Sequence, residues 1–220
     1  QPSFEYPALT LEVGIMSTMS ILEWAREKKC KVIYSGSSSV HSGHYKNPYT
    51  FSKVMGDELC MMYKKIYDVD VSVCRFYNVY GPYQLTEGEY CTVIGIFERQ
   101  HKNKETLTIT GDGEQRRDFT HVDDIVEGLI LTTLCPSLTN LLIKFVPANS
   151  KTSHDFIELG RGNNHSINEL AKMFGGESTY IDARPGEARN TLCDISEAKD
   201  RIGYEPKVNL EDYISEASKV

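Results

Sequence analysis

The sequence predicts an α/β protein in which helices flank a parallel β-sheet, and three observations predict this fold class. Segments with helical and strand-like periodicity alternate between residues 11 and 77, as the crossover connections of a parallel sheet require. The composition, 40% hydrophobic and 25% charged, is that of a globular protein. A length of 220 residues suits one large domain or two small ones.

The first four predicted elements form this alternation. Apolar residues recur near helical spacing over residues 11–28, and basic residues at the end of that segment suit a helix C-terminus. The short apolar run 31–34 predicts a strand, which leads into a cluster of small residues at 35–39. A second helix is predicted at Pro48–Tyr67, and a second strand at 71–77.

The segment after Gly81 predicts shorter, mixed elements. An Asp before the apolar run 125–134 is expected to cap a helix, and Ser166 and Glu169 have the spacing of a capping box. Residues 135–155 are expected to be an insertion, and the segment between the capping-box helix and the last helix is expected to be irregular. The other predicted elements are a helix at 94–100, a strand at 106–110, a turn at 111–113, a strand at Phe156–Leu159 and a helix at Leu210–Ala217.

The charge balance bears on the partners of the chain. Thirty-one acidic against 24 basic residues give a net charge of −7. Binding of nucleic acid or of an acidic membrane surface depends on a surplus of Lys and Arg, so we expect neither as a partner. An anionic ligand must therefore be held by a few placed cations.

The cysteines and the first residues bear on the compartment. Six scattered cysteines without a C-x-x-C pair predict free thiols in a reducing environment, and hence a cytoplasmic protein. No apolar stretch approaches the roughly 18 residues that a membrane span needs, and the first residues lack the features of a secretory signal. Because the sequence starts at Gln1 rather than Met, we expect it to begin inside a longer protein.

The candidate catalytic residues are Tyr49 and Lys53, which stand four residues apart and therefore on one helix face. The strand before this helix leads into hydroxyl side chains at Ser37 and Ser39. Because the carboxyl ends of parallel strands face the ligand crevice, we expect hydroxyl, phenol and ammonium to converge there. The pair alone is a weak signal, since a half-buried tyrosine, a solvated lysine and a serine turn would give the same pattern.

These groups suit reversible hydride transfer coupled to proton transfer. A neighbouring ammonium favours the phenolate form of a tyrosine, which can then take the proton of a sugar or alcohol hydroxyl. In this hypothesis Tyr49 exchanges the proton and Ser37 hydrogen-bonds the same oxygen.

Several further motifs follow in a fixed order. They are V-I-Y-S-G-S-S-S-V at 32–40, P-Y-T-F-S-K at 48–53, R-F-Y-N-V-Y-G-P at 75–82, G-D-G at 111–113, R-D-F at 117–119, H-V-D-D at 121–124 and R-P-G-E at 184–187. Together they resemble the extended short-chain dehydrogenase/reductases, specifically the NAD-dependent nucleotide-sugar epimerase/dehydratase family, with a closer likeness to UDP-hexose 4-epimerases. The resemblance extends from near residue 3 to residue 213.

The resemblance implies a division of the chain and a cofactor, NAD. Residues 1–85 would be the C-terminal portion of an NAD-binding domain with a partial Rossmann-type, doubly wound parallel sheet. Residues 86–220 would be a smaller, mixed α/β substrate-binding part, with interleaved chain segments. The helices predicted at 11–28 and 48–67 pack into a dimer in the family, so a homodimer is expected.

The catalytic and cofactor-binding residues are implied by matching positions. Tyr49 matches the catalytic tyrosine and Lys53 the lysine that binds the nicotinamide ribose. Ser37 matches the catalytic hydroxyl residue, and the cofactor-binding set is completed by Ser35 and by Phe76, which lies where the family lines the nicotinamide pocket.

The substrate-binding residues are implied in the same way. Ser37 and Ser39 would contact the sugar, Ser39 also being a second candidate for the catalytic hydroxyl. The remaining ligands are Asn78 at the diphosphate, Arg117 and Arg184 at the phosphates and ribose, and Glu187 at the ribose. Two arginine forks are what an acidic protein needs to hold a dianionic ligand.

Each assignment has an alternative. Arg117 could belong to a surface salt-bridge cluster, Arg184 could be a loop charge, and Asn78 could stabilise a turn after its strand. His121 is expected to pack or cap rather than to bind a metal, because no second ligand stands at a metal-binding interval. We assign no metal.

The sequence also departs from the family. The family holds the cofactor pyrophosphate on a G-x-x-G-x-x-G strand–turn–helix, and no glycines here have that spacing. We therefore expect this chain by itself to bind NAD poorly. The interval from Ser37 to Tyr49 is short, and His41 and Ser42 replace the Tyr and Gly of the family's V-Y-G signature.

Ser38 and Ser39 bear on the choice of reaction. Related dehydratases and decarboxylases commonly place an acid there, because elimination of water needs a second acid/base pair. The serines favour 4-epimerisation of a UDP-hexose through a transient 4-keto sugar, impaired in this chain, over a dehydratase or reductase. A non-catalytic remnant that still binds sugar nucleotide and an oligomerisation module stay open as hypotheses of other classes.

Overall fold

The computed structural model describes residues 2–135 and 156–218. All but the first residue of the predicted insertion at 135–155 lies outside the described residues. The helices are α1 (Pro2–Glu5), α2 (Pro7–Lys28), α3 (Pro48–Tyr67), α4 (Val93–Lys102), α5 (Val122–Leu134), α6 (Ile167–Phe174), α7 (Ser196–Ile202) and α8 (Leu210–Ala217), and a 3₁₀ helix spans Ser38–Ser42. The strands are β1 (Val32–Ser37), β2 (Val71–Phe76), β3 (Val79–Tyr80), β4 (Leu107–Thr110), β5 (Arg116–Arg117), β6 (Thr120–His121), β7 (Phe156–Leu159), β8 (His165–Ser166) and β9 (Ser178–Ile181).

The main sheet is parallel and has the order β1–β2–β7. Its strands are in register at their carboxyl ends, where Ser37 pairs with Phe76 and Phe76 pairs with Leu159. The predicted α/β class is therefore confirmed. The sheet takes a strand from beyond the predicted boundary at residue 85, which itself stays a prediction.

Helices cover both faces of this sheet, because side chains of a strand alternate between its faces. Val71 and Val73 of β2 pack in one apolar cluster with buried residues of α2 and α3. Cys74 packs on the opposite face with buried residues of β7, α5 and α7. The sheet is thus covered on both faces, as a parallel sheet usually is.

A second core lies outside the main sheet. Buried residues of α4, α6 and α8 pack there against β4 and Phe119, with Phe97 and Phe174 in edge-to-face contact. β4 pairs with β9, and two-residue pairs join β3 to β6 and β5 to β8. This part brings the loops around residues 117 and 184–187 close to the end of the main sheet.

Besides the 3₁₀ helix and the two-residue strands, three elements lie in segments for which no regular structure was predicted. They are α1, β9 and α7, and the expectation of an irregular segment before the last helix is wrong for the last two. All four residues of β9 are exposed, so no alternation of apolar residues marks the strand in the sequence. In α7 only Ala198 and Ile202 are buried, which is too short a pattern to indicate a helix.

The helix α5 begins differently from the prediction. Its N-cap is His121, whose ring Nδ1 accepts a hydrogen bond from the backbone N–H of Asp123 at 3.2 Å. Asp124 lies inside the helix and is 2% exposed, and its carboxylate accepts the backbone N–H groups of Lys207 and Val208 at 2.8 and 3.1 Å. The expected Asp cap is therefore wrong, because this carboxylate holds the segment that leads to α8.

Candidate active site

The start of α3 positions the predicted catalytic tyrosine. The Asn47 side chain accepts the backbone N–H of Thr50 at 2.8 Å, and Pro48 occupies the first helical position, both strong signals for a helix N-terminus. Tyr49 therefore lies in the first turn, where its side chain is 44% exposed. Lys53 follows one turn later on the same face.

Lys53 lies between α3 and the end of β1. Its Nζ donates a hydrogen bond to the carbonyl oxygen of Ser35 at 3.0 Å. The same atom lies 5.9 Å from the ring centroid of Tyr49 and 5.3 Å from that of Tyr34. Burial lowers the pKa of Lys53, and the charge of Asp57 opposes that shift. The ammonium is thus held beside the phenol as the spacing predicted.

A cleft of about 410 Å³ opens at the carboxyl end of β1 and β2. It brings together six of the predicted site residues: Ser37, Ser39, Tyr49, Phe76, Asn78 and Arg117. Ser35 and Lys53 instead line a different cavity, between β1, α2 and α3, which shares no lining residue with the cleft. Of the predicted catalytic residues, Ser37 and Tyr49 therefore line the cleft, whereas Lys53 lies outside it with its Nζ 5.9 Å from the Tyr49 ring centroid.

The two serines in the cleft are bonded to each other. The Ser37 hydroxyl donates to Ser39 Oγ at 3.0 Å and accepts the backbone N–H of Ser39 at 3.2 Å. The hydroxyl hydrogen of Ser39 remains available for a ligand in this arrangement. Both candidates for the catalytic hydroxyl thus lie at the same point of the cleft.

A second cavity, of about 210 Å³, adjoins the cleft and shares Asn78, Val79 and Arg117 with it. Arg184 and Glu187 line this cavity, and its apolar side chains include Val93 and Phe119. The second cavity and the cleft form one continuous path along which all of the predicted substrate ligands are found.

Arg117 lies at the junction of the two cavities and is only 8% exposed. Its Nη1 donates to the carbonyl oxygen of Arg116 at 2.9 Å, and its Nη2 donates to Glu187 Oε1 at 2.9 Å. Such burial does not fit the alternative of a surface salt-bridge cluster. Glu187 therefore already accepts a hydrogen bond from Nη2, one of the two terminal nitrogens that Arg117 was predicted to offer to a phosphate.

Asn78 is more constrained than its predicted role suggests. Its Nδ2 donates to the carbonyl oxygen of Asp118 at 2.9 Å and to Thr191 Oγ1 at 3.2 Å. Both amide hydrogens are then used within the protein, and an amide oxygen cannot donate to a phosphate. This geometry matches the alternative of a structural asparagine, and the predicted contact with a diphosphate stays a prediction.

Asp118 was missed as a separate site residue, although it lies within the R-D-F motif. It is fully buried, and its carboxylate accepts the backbone N–H groups of Arg161, Gly162 and Cys193 at 2.8, 3.0 and 3.1 Å. It therefore ties two distant loops to the floor of the site. Lys46 and Thr191 also line the cleft, and no spacing in the sequence connects them to it.

The described residues also bear on metal binding and membrane association. Within 2–135 and 156–218, no group of three His, Cys, Asp or Glu side chains has the arrangement of a metal site. His121 is 5% exposed, caps α5 and packs edge-on against Tyr80, which confirms its predicted capping and packing role. Among the helices of the described residues, none combines the length and the apolarity of a membrane span.

The chain is similar to known proteins over nearly its whole length. The chain matches the family described as GDP-mannose 4,6 dehydratase over residues 1–217. It is 28% identical over 213 residues to the protein of Bacillus subtilis strain 168 named uncharacterized UDP-glucose epimerase YtcB, and the match covers 90% of this chain and 63% of that protein. The chain thus spans less than two thirds of the length of this relative.

Two solved structures are similar to the chain. UDP-glucose 4-epimerase of Thermotoga maritima, solved with UDP-glucose, has a TM-score of 0.86 and 25% identity, over 99% of this chain and 72% of that chain. UDP-glucuronic acid 4-epimerase of Bacillus cereus, solved with UDP-glucuronic acid and NAD, has a TM-score of 0.78 and 26% identity, over 95% of this chain and 67% of that chain.

Proposed function

The chain belongs to the GDP-mannose 4,6 dehydratase family, a group of extended short-chain dehydrogenase/reductases, and on this premise we propose that it carries the substrate-binding and proton-transfer residues of an NAD-dependent UDP-hexose 4-epimerase. One observation carries the proposal. Tyr49 and Ser37 line the same cleft as Arg117, and the Lys53 ammonium lies 5.9 Å from the Tyr49 ring centroid. The UDP-sugar ligands of the similar solved enzymes support it.

The residues around Lys53 fit a dinucleotide with ribose hydroxyls. A lysine ammonium has three N–H donors, and among the described residues one of them has a hydrogen-bond acceptor, the Ser35 carbonyl oxygen. The other two can donate to the hydroxyls of a ribose, and Phe76 offers an apolar wall in the cleft. NAD, when bound, supplies the acceptor and donor of hydride.

Tyr49 exchanges the proton in this proposal. As the general base, Tyr49 would take the proton of the sugar 4-hydroxyl while the hydride of C4 leaves for the cofactor and C4 becomes a ketone. Ser37 or Ser39 donates a hydrogen bond to the same oxygen and fixes its position. After the 4-keto sugar has turned its other face to the site, the Tyr49 phenol returns the proton, and the configuration at C4 is inverted.

The lining of the cleft favours epimerisation over dehydration. Elimination of water from the keto sugar needs a second acid/base pair near C5 and C6. The described residues that line the cleft include no Asp or Glu, and Ser38 and Ser39 stand where related dehydratases place an acid. The proposed reaction therefore ends with return of the hydride to C4.

Arg117 and Arg184 hold the diphosphate in this proposal. Both line the second cavity, in a chain whose net charge is −7. Binding of a diphosphate at Arg117 requires Glu187 to release the guanidinium, which leaves its carboxylate to accept hydrogen bonds from ribose hydroxyls. The apolar side chains of the second cavity would then pack against a uracil ring.

We extend the proposal to assembly and location. α2 and α3 leave apolar side chains exposed, among them Leu9, Met16, Trp24 and Ile66, and a second copy of the chain would bury them in a homodimer. The six cysteines are free thiols, which supports the cytoplasm as the compartment.

Calorimetric titration of the 220-residue chain with UDP-glucose tests the substrate site without requiring turnover. We expect binding by the chain and a loss of about tenfold or more in affinity for Arg117→Met, because a charge-assisted bond to phosphate is removed. Arg26→Met is the matched control, because Arg26 pairs with Glu23 on the surface of α2, and it should bind like the parent chain.

Absence of UDP-glucose binding, or equal loss in both variants, would exclude the proposed site. A second experiment adds a glycine-rich strand–turn–helix before residue 1 and supplies NAD. If that protein binds UDP-glucose but does not epimerise it, the non-catalytic alternative is favoured.

A further inference from the structure

We propose that Asp57 is a positioning residue for Lys53, whose buried carboxylate keeps the ammonium charged beside the Tyr49 ring. The inference rests on the proposed function, because Lys53 matters to catalysis only if Tyr49 exchanges a proton. It concerns a residue that does not line the cleft and that would act through Lys53 alone.

Asp57 lies on the same helix as Lys53, α3. It follows Lys53 by four residues, so the two side chains share a helix face with Cβ atoms about 5–6 Å apart. Asp57 is 3% exposed, and Lys53 is half-buried. Attraction between unlike charges is stronger in such surroundings than at a solvated surface, since water screens it less.

The groups in direct contact with the Lys53 ammonium are uncharged. Its Nζ meets the neutral Ser35 carbonyl oxygen and lies over the rings of Tyr34 and Tyr49. Among the described residues, no carboxylate pairs with this atom within 4.0 Å. The charge that balances Lys53 therefore acts through space, and Asp57 is the carboxylate one turn away.

A second cation holds Asp57 in place. Arg75 Nη2 and Nε donate to Asp57 Oδ2 at 2.7 and 3.1 Å, while Nη1 donates to Glu158 Oε1 at 3.2 Å. The other carboxylate oxygen, Oδ1 of Asp57, is buried without a hydrogen-bond partner. The guanidinium is thus shared between two carboxylates, and part of the Asp57 charge is left uncompensated by Arg75.

Gly36 makes this anchor possible. A Cβ atom at that position would lie 2.9 Å from Cγ of Arg75, which is closer than real side chains approach. Gly36 pairs with Arg75 in the register of β1 and β2, one residue before Ser37. Gly36 therefore leaves room for the Arg75 side chain, which holds the Asp57 carboxylate in place.

The charges around Lys53 form an alternating series. Lys53, Asp57, Arg75 and Glu158 follow one another from α3 to β7, and Glu158 Oε1 also lies 3.0 Å from Nε2 of His41 at the far end. The two carboxylates share the single guanidinium of Arg75. Lys53 supplies the missing positive charge, so each end of the series stabilises the other.

The other titratable groups beside the pair are two tyrosines and a cysteine. Burial raises the pKa of Tyr34 and, with the Asp57 charge, raises the pKa of Cys60 to about 12. Tyr34 and Cys60 are therefore neutral near pH 7 and add no charge beside Lys53. Burial lowers the pKa of Lys53, and Asp57 opposes that shift.

The test follows the titration of Lys53 itself. In the 220-residue chain labelled with ¹⁵N-lysine, the Nζ chemical shift of Lys53, assigned by its loss in Lys53→Arg, is measured against pH. We expect Asp57→Asn to lower the titration midpoint by about one pH unit, because an opposite charge has been removed. Asp68→Asn, the same change at the distant end of α3, should leave the midpoint unchanged.

Two further variants keep the proposal falsifiable. Asp57→Glu should restore most of the midpoint, which loss of packing alone would not do. If Asp57→Asn fails to fold, Lys53→Met is read instead through the ¹³C-carboxyl titration of Asp57, whose midpoint should rise because coupling is reciprocal. Equal Lys53 midpoints in Asp57→Asn and Asp68→Asn, or an unmoved Asp57 midpoint in Lys53→Met, would overturn the proposal and leave UDP-glucose binding untouched.

Discussion

Single residues decide which of the predicted roles the site can fill. The Tyr49–Lys53 pair could be predicted because helical spacing fixes which side chains share a face. The pairing of Arg117 with Glu187 could not, because the two residues are 70 positions apart and meet only through the packing of a loop. The two bonds of Asn78 to Asp118 and Thr191 are equally non-local, and they change what its side chain can offer a ligand.

Arg75 gives a prediction of stability that depends on pH. Burial raises the pKa of Asp57, and Arg75 opposes that rise. Removal of Arg75 would leave a buried carboxylate with less compensation, so we expect Arg75→Met to destabilise the fold by about 3 kcal/mol at pH 8. Asp57→Asn should destabilise the fold by less than Arg75→Met does, because it removes the buried negative charge itself as well as the ion pair with Arg75.

The sign of the pH dependence follows from the direction of this shift. A folded-state pKa above the unfolded value means that the folded protein binds the proton more readily, so acid relieves the penalty. The difference in urea midpoint between Arg75→Met and the parent chain should therefore shrink from pH 8 to pH 5. A difference that grows toward acid would contradict the assigned role of Asp57.

Helices and strands could be predicted where one face is buried and where capping residues mark the ends. Asn47 and Pro48 start α3, and Ser166 and Glu169 form the predicted capping box of α6. β9 was not predictable because its residues are exposed and it pairs with β4 across more than 60 positions. The start of α5 was mispredicted because Asp124 is needed elsewhere, under the segment at Lys207.

The close packing of α3 against β1 gives a prediction about the stability of the fold. Replacing a glycine inside a helix by alanine ordinarily stabilises by about 1 kcal/mol. At Gly56, however, a Cβ atom would lie 1.9 Å from the Tyr34 hydroxyl oxygen. We expect Gly56→Ala to destabilise the fold by about 1–3 kcal/mol, measured by urea unfolding, because the half-buried ring of Tyr34 must move.

The control for this prediction is a substitution on an exposed helix face. Ser20 of α2 is exposed, and its hydroxyl bonds back to the carbonyl oxygen of Met16. Ser20→Ala should be neutral or slightly stabilising. An increase in the urea midpoint of Gly56→Ala would show that α3 does not approach β1 as closely as described.

The whole molecule combines two cores that the sequence only partly separates. The alternation of helices and strands predicted the parallel sheet, because crossovers require it. The arrival of β7 beside β2 depends on a connection that passes through the second part of the chain, so the order of the sheet could not be deduced from local patterns. The cleft lies where these two parts meet, which is why distant motifs line one path.

The proposed homodimer gives a prediction for the whole molecule. Trp24 is the only tryptophan of the chain, lies on α2 and is 55% exposed. Dilution of the parent chain should move its fluorescence to longer wavelength as the proposed interface opens. Met16→Glu, on the same face of α2, should show the long-wavelength emission at all concentrations, with a monomer mass by light scattering.

Val126→Glu is the matched control, because Val126 is an exposed apolar residue of α5. It should keep the concentration dependence of the parent chain. A parent chain whose mass and Trp24 emission do not change with concentration, and equal those of Met16→Glu, would exclude an interface through α2.

The most direct test compares the parent sequence with Tyr49→Phe after a glycine-rich strand–turn–helix from a relative has been joined before residue 1 to hold NAD. Conversion of UDP-glucose to UDP-galactose is followed by proton NMR, and UDP-glucose affinity by calorimetry. We predict that Tyr49→Phe abolishes conversion while its affinity stays within about threefold of the parent protein. Conversion by Tyr49→Phe at the parent rate would contradict the assignment of proton transfer to this phenol.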